Sequence, residues 1–142
     1  MLTKYIQDNQ LDNCMVMGDF NAYSPFDADW VETHAQLIKN KQKWDAEQET
    51  YRNMRDGRLD YSVLSQFLSI GLTDICRLYV PADKRTTFPT AFLYRWQHGD
   101  TRLHGISERL DYILVSPSLV SRCVDAHIHN GIETEGIRTI IR

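Results

Sequence analysis

Basic charge, cysteine and long apolar runs are all scarce in this 142-residue chain, and each scarcity excludes a class of protein. Sixteen basic against nineteen acidic residues leave a formal charge of −3, so no global positive field draws the chain onto a polyanion, and any nucleic-acid contact has to be local. The three cysteines, Cys14, Cys76 and Cys123, are far apart, odd in number and form no CxxC pair, which argues against a disulfide framework or a structural zinc site. A reducing, cytoplasmic compartment is the default expectation. No apolar run approaches the ~20 residues of a membrane span, and the first segment lacks the basic start and apolar centre of a signal peptide. No internal repeat, linker or low-complexity tract is visible. What remains is the composition of a soluble globular domain, 42% hydrophobic and 25% charged, with Trp30, Trp44 and Trp96 to fill one core.

Along the chain, Met1 to Gln10 reads as the end of a helix, and Asp12 and Asn13 as a turn. Cys14 to Phe20 is a nearly continuous apolar run, which predicts a central strand buried on both faces and ending at turn-prone Asn21. Ser24, Pro25 and Asp27 have the order of an N-cap, a first-turn proline and an acidic capping partner, so a helix is expected to open there. In it Trp30, Leu37, Trp44 and Tyr51 recur every seven residues, with Val31 and Ile38 beside the first two. That stripe reads as a core face, with a partner-binding ridge as the alternative. Asp56 and Gly57 break the pattern, and Leu64, Phe67 and Leu68 suggest a shorter helix ending near Gly71. Leu72 to Val80 is ambiguous between helix and strand. Thr86 to Phe88 reads as a short β segment, the polar stretch through Gly105 as a long loop, and Leu110 to Val115 and Cys123 to Ile128 as strands. The element order favours an α/β or α+β fold over a bundle.

Two short motifs carry chemistry. Gly18-Asp19-Phe20-Asn21-Ala22 places a carboxylate and a carboxamide two residues apart on a strand-to-helix loop. Asp19 could bind a hard divalent cation or take a proton from water while Asn21 holds a phosphoryl oxygen; equally, both could simply satisfy turn and cap hydrogen bonds. In Arg109-Leu110-Asp111-Tyr112-Ile113, alternation puts Arg109, Asp111 and Ile113 on one face and Leu110, Tyr112 and Leu114 on the other. A buried Asp111 needs a partner, which is either Arg109 or a histidine that it orients. His127 and His129 alternate on the last expected strand, a spacing common on solvated strands, with a metal pair as the lesser alternative. Arg95, Trp96, Arg102 and His104 sit in the long loop, where they could touch a phosphate-bearing substrate, with a solvated loop as the reading that the acidic chain favours.

GDFNA after an apolar strand, TTFPT at Thr86 to Thr90 and ERLDYILVSPSL at Glu108 to Leu119 closely resemble, in order, the C-terminal half of the endonuclease/exonuclease/phosphatase superfamily, with its exonuclease III-like and sphingomyelinase-like members. The resemblance implies a four-layer α-β-β-α sandwich of the DNase I-like type, of which residues 1–142 form a single partial domain. It also implies a divalent-metal-dependent phosphoesterase of nuclease or phosphatase type, using Mg2+ or Mn2+. By the same resemblance Asp19 and Asn21 hold the metal, and Asp19, Asn21 and Asp111 are catalytic, Asp111 by fixing the tautomer of a histidine. Asn21, Arg95 and Arg109 would meet the substrate, which is a nucleic acid, a phospholipid head group or a small phosphoester.

The family pattern also contains an N-terminal half with an asparagine and a metal-binding glutamate, and a final Ser-Asp-His motif. At the place of that motif this chain reads Glu133-Thr134-Glu135-Gly136-Ile137-Arg138. The second reading is therefore a catalytically inactive fragment or interaction module on the same scaffold. Such a half-sandwich would leave a sheet face and a strand edge uncovered and open to self-association.

Overall fold

The computed structural model describes residues 2–49, 53–90, 93 and 107–130. Along the chain they form α1 (Leu2–Asp8), β1 (Met15–Asp19), a 3-10 turn (Pro25–Asp27), α2 (Ala28–Val31), α3 (Ala35–Glu47), β2 (Met54–Arg55), β3 (Arg58–Leu59), α4 (Ser62–Ser69), β4 (Thr73–Asp74), α5 (Ile75–Tyr79), a second 3-10 turn (Ala82–Lys84), β5 (Asp111–Val115) and α6 (Pro117–Val120). The class is α+β. β5 is the middle strand of an antiparallel sheet ordered β1-β5-β4, and β2 and β3 form a separate hairpin. Among the described residues no helix is long and apolar enough to cross a membrane.

Alternation along β1 and β5 decides which sheet face is buried. Val16, Tyr112 and Leu114 point to one face, where Ile6 of α1 and Leu64 of α4 cover them together with Ala22 and Leu72. Phe20 fills the end of this layer, edge-on to Phe67 at 5.3 Å and to Tyr112 at 5.7 Å. A second cluster of Tyr23, Val31, Leu37 and Leu59 joins α2 and α3 to the hairpin. Asp56 and Gly57 both take positive φ, 51° and 79°, which is the two-residue I′ turn that matches strand twist. The sequence pattern suggested only a break there.

Four expectations are corrected. β1 is an edge strand, not a central one, since β5 lies on one side and no described strand on the other, and only one of its faces is covered: Met15 is 49% and Met17 62% exposed on the face opposite the core cluster. Ser24 does cap the 3-10 turn, accepting from the Phe26 N–H at 3.2 Å. The helix expected after it stops at Val31, where the Thr33 hydroxyl donates to the Trp30 carbonyl at 2.6 Å and His34 Nδ1 also reaches it, before α3 restarts. The seven-residue stripe is therefore core only in its first half, at Val31 and Leu37, and Trp44 stands exposed two turns beyond the cluster; Tyr51 lies outside the described residues. Residues 123–128 form no strand, since the turn closing α6 leads into a segment without ladder partners among the described residues. Thr86 to Phe88, in contrast, does make a β contact, a single bridge from Phe88 to Glu108.

Candidate functional site

The β1–β5 register sets Asp19 directly opposite Asp111, after Met17 opposite Ile113 and Gly18 opposite Tyr112. Directly opposed residues project to the same face with Cβ atoms about 4.5–5.5 Å apart, so the two carboxylates stand side by side at one end of the sheet. Both are exposed. The expectation of a buried Asp111 paired with Arg109 is thus overturned, because the face shared by Met15, Met17, Asp19 and Asp111 is the uncovered one. Beyond β1 the Asn21 backbone takes a left-handed φ of 45°, and its N–H donates to Asp19 Oδ1 at 2.8 Å. The turn-forming role foreseen for Asp19 is real, and it fixes one carboxylate oxygen while leaving Oδ2 without a described partner. On the β5 side, Thr87 Oγ1 accepts from the Leu110 N–H at 3.0 Å and the Asp111 N–H at 3.1 Å.

Arg109 takes no part in that exposed pair. Its guanidinium is buried and lies over the Tyr112 ring, 4.3 Å from the centroid. There it donates bidentately to Asp74, Nη1 to Oδ2 at 2.8 Å and Nη2 to Oδ1 at 2.6 Å, and through Nη1 to Asp27 Oδ2 at 3.2 Å. Asp27 is also approached by Arg85 Nη2 at 3.2 Å. Burial disfavours charge on Arg109, but the Asp74 hydrogen bonds and the two carboxylates outweigh it and hold its pKa above the usual value. Asp27 goes the other way: burial raises its carboxyl above the ordinary 3.8, and the two arginines, one already claimed by Asp74, offset this only in part. Asp74 also caps α5 by accepting from the Arg77 N–H at 3.4 Å. Next to this group, Glu108 accepts from the Tyr23 hydroxyl and pairs with Lys41 Nζ at 2.9 Å, and burial together with Glu108 drives the Tyr23 pKa up.

These buried ion pairs are what sequence reasoning missed. Asp27 looked like a cap partner and is a core carboxylate; Asp74, Arg85 and Lys41 were not singled out. A usable signal existed for Asp74, an N-cap residue type directly before the apolar Ile75-Cys76 pair. Arg109, expected at the substrate, is 4% exposed and structural. Arg95, with Trp96, Arg102 and His104, lies outside the described residues. His127 pairs with Asp125 at 2.8 Å and its ring centroid lies 6.2 Å from that of His129. Among the described residues no group of three or more His, Cys, Asp or Glu is arranged to hold a metal. The donors of the exposed pair nevertheless suit a hard cation of the Mg2+ type, which is bound by one or two carboxylates and completes its octahedron with water and substrate phosphate. Compared with models of protein families, with curated proteins and with solved structures, the chain gives no match.

Proposed function

We propose that the chain is part of a divalent-metal-dependent phosphoesterase, with Asp19 and Asp111 as its paired carboxylates and Asn21 beside them. The observation that carries this reading is the cross-strand opposition of two exposed aspartates. Like charges directly opposed on a sheet repel, and the motifs that supply them are the ones that resemble the endonuclease/exonuclease/phosphatase superfamily. On this reading the three-stranded sheet and its helical cover belong to a four-layer α-β-β-α sandwich. Asp19 orients or deprotonates the attacking water, held in place through its Oδ1 by the Asn21 N–H. The exposed Asn21 carboxamide positions a phosphoryl oxygen. Asp111 contributes the second carboxylate; no described histidine hydrogen-bonds to it. A Mg2+ or Mn2+ ion held by the pair supplies Lewis-acid stabilisation of the phosphoryl oxygens.

The test is hydrolysis of an activated phosphodiester by the purified chain with Mg2+ or Mn2+, beside EDTA and Asp19→Ala controls. Loss of the proton-handling carboxylate is expected to lower the rate by about 10²-fold or more. Turnover that survives Asp19→Ala refutes the assignment.

The open side of β1 favours a second reading, an interaction module that self-associates. The Phe20 N–H donates to the Leu110 carbonyl and the Ser116 N–H to the Cys14 carbonyl, so even-numbered residues of this strand face β5. Met15, Met17 and Asp19 then turn their N–H and C=O groups away from β5, toward a side where no described strand pairs with them, beside two exposed methionines.

A further inference from the structure

The Asp19–Asp111 pair raises a mechanical question, because two exposed carboxylates facing each other at a strand end tend to spread. Asp111 is the first residue of β5, and β4 reaches only Leu114 and Val115 on that side. Among the described residues its N–H finds a partner only in the Thr86 to Thr90 segment. That segment is fastened in place: the Thr87 N–H at 2.7 Å and the Phe88 N–H at 2.9 Å both donate to the Glu108 carbonyl, and the Glu108 N–H returns to the Phe88 carbonyl at 2.6 Å. From there the half-buried Thr87 hydroxyl oxygen accepts from Leu110 and Asp111 together, using both of its lone pairs on the two amides that lead into the carboxylate.

We infer that Thr87 is a positioning residue for the carboxylate pair, its hydroxyl holding the Asp111 backbone in register against the repulsion of Asp19. The inference rests on reading that pair as a cation site. It concerns the oxygen of Thr87, not its shape, so valine and serine separate the two: Thr87→Val keeps the branched β-compatible form and loses the acceptor, whereas Thr87→Ser keeps the acceptor.

The experiment is a Mn2+ titration of the full chain, with free Mn2+ read by electron paramagnetic resonance, for the unaltered protein, Asp19→Asn, Thr87→Val and Thr87→Ser. Leaving two amides unpaired is expected to weaken Mn2+ binding about tenfold in Thr87→Val, with Thr87→Ser within about twofold of the parent. Binding by Thr87→Val at the parent's strength, alongside weakened Asp19→Asn, overturns the role of Thr87 and leaves the cation site standing. Equal loss in the serine and valine variants also overturns it. Equal binding by the parent and Asp19→Asn removes the cation reading, and this inference falls with it. Should Thr87→Val lose its far-UV circular dichroism, amide hydrogen exchange in the parent decides: the Asp111 N–H is expected to be protected, and exchange at the rate of an open amide overturns the clamp.

Discussion

Replacing Arg109 separates a substrate-binding arginine from a structural one. Arg109→Met keeps the length and apolar stem of the side chain and deletes the guanidinium, which is 96% removed from solvent and makes three hydrogen bonds to Asp74 and Asp27. Asp27 keeps Arg85, but Asp74, itself 2% exposed, loses its bidentate partner and is left charged in the core. Removing one partner of a buried pair costs about 3–5 kcal/mol, against a total of about 5–15 kcal/mol for a domain. Arg109→Met is therefore expected to lower the urea midpoint steeply. Adding Asp74→Leu removes the stranded charge and restores most of the loss, less about 1 kcal/mol for the cap that Asp74 gives α5. The assay is urea unfolding by circular dichroism at pH 7, with unchanged slopes confirming that the variants unfold from the same native state. A single variant within about 0.5 kcal/mol of the parent refutes the reasoning, as does a double variant no more stable than the single one.

Two further outcomes follow from the same geometry. Because burial raises the folded-state pKa of Asp27 above 3.8, its contribution to stability is fully present below that value and is lost as pH rises through the folded pKa. A carboxyl carbon NMR titration should place the Asp27 midpoint above 3.8, and a midpoint below it reverses the sign of this argument. If the free edge of β1 pairs two copies, Met17→Lys, which puts a charge in the middle of that edge, should shift a concentration-dependent dimer to monomer in sedimentation velocity. A parent that stays monomeric across the accessible concentration range rules out edge pairing.

The parts of the fold visible in the sequence were those set by local chemistry. The Ser24-Pro25 start, α4 and the strand at Leu110 to Val115 each follow from residues within one turn or one strand of each other. Cys14 to Phe20 reads as a strand for the same reason, but its burial does not follow from the run alone. An unbroken apolar run looks alike in a strand covered on both faces and in one with bare methionines on one face, and only what packs over each face distinguishes the two. The helix break at Glu32 to His34 was hidden because the seven-residue spacing continues across it, whereas the side chains of Thr33 and His34 both turn back to the Trp30 carbonyl.

The site shows a sharper boundary. Asp19, Asn21 and Asp111 were identifiable as chemistry-bearing residues, and nothing in the sequence said that Asp19 and Asp111 meet, because their strands are far apart in the chain and no tight turn ties their register. The register is a tertiary fact, fixed where Val16 and Leu114 share the covered face with Tyr112. Since the side-chain period of a strand is two, slipping β5 by one residue would carry Asp111 to the core face and bring Leu110 or Tyr112 opposite Asp19. That is too costly to occur, because it would bury a carboxylate and expose the core residues that now lie at 0–2% accessibility. The packing of the hydrophobic face thus places the polar pair on the opposite one, and the Arg109 to Asp74 anchor on the covered side ties the start of β5 to that position. The same coupling bears on Arg109: strict alternation places it beside Asp111, whereas it lies before the first residue of β5 and its guanidinium is held in the core by Asp74 and Asp27, away from the exposed Asp111.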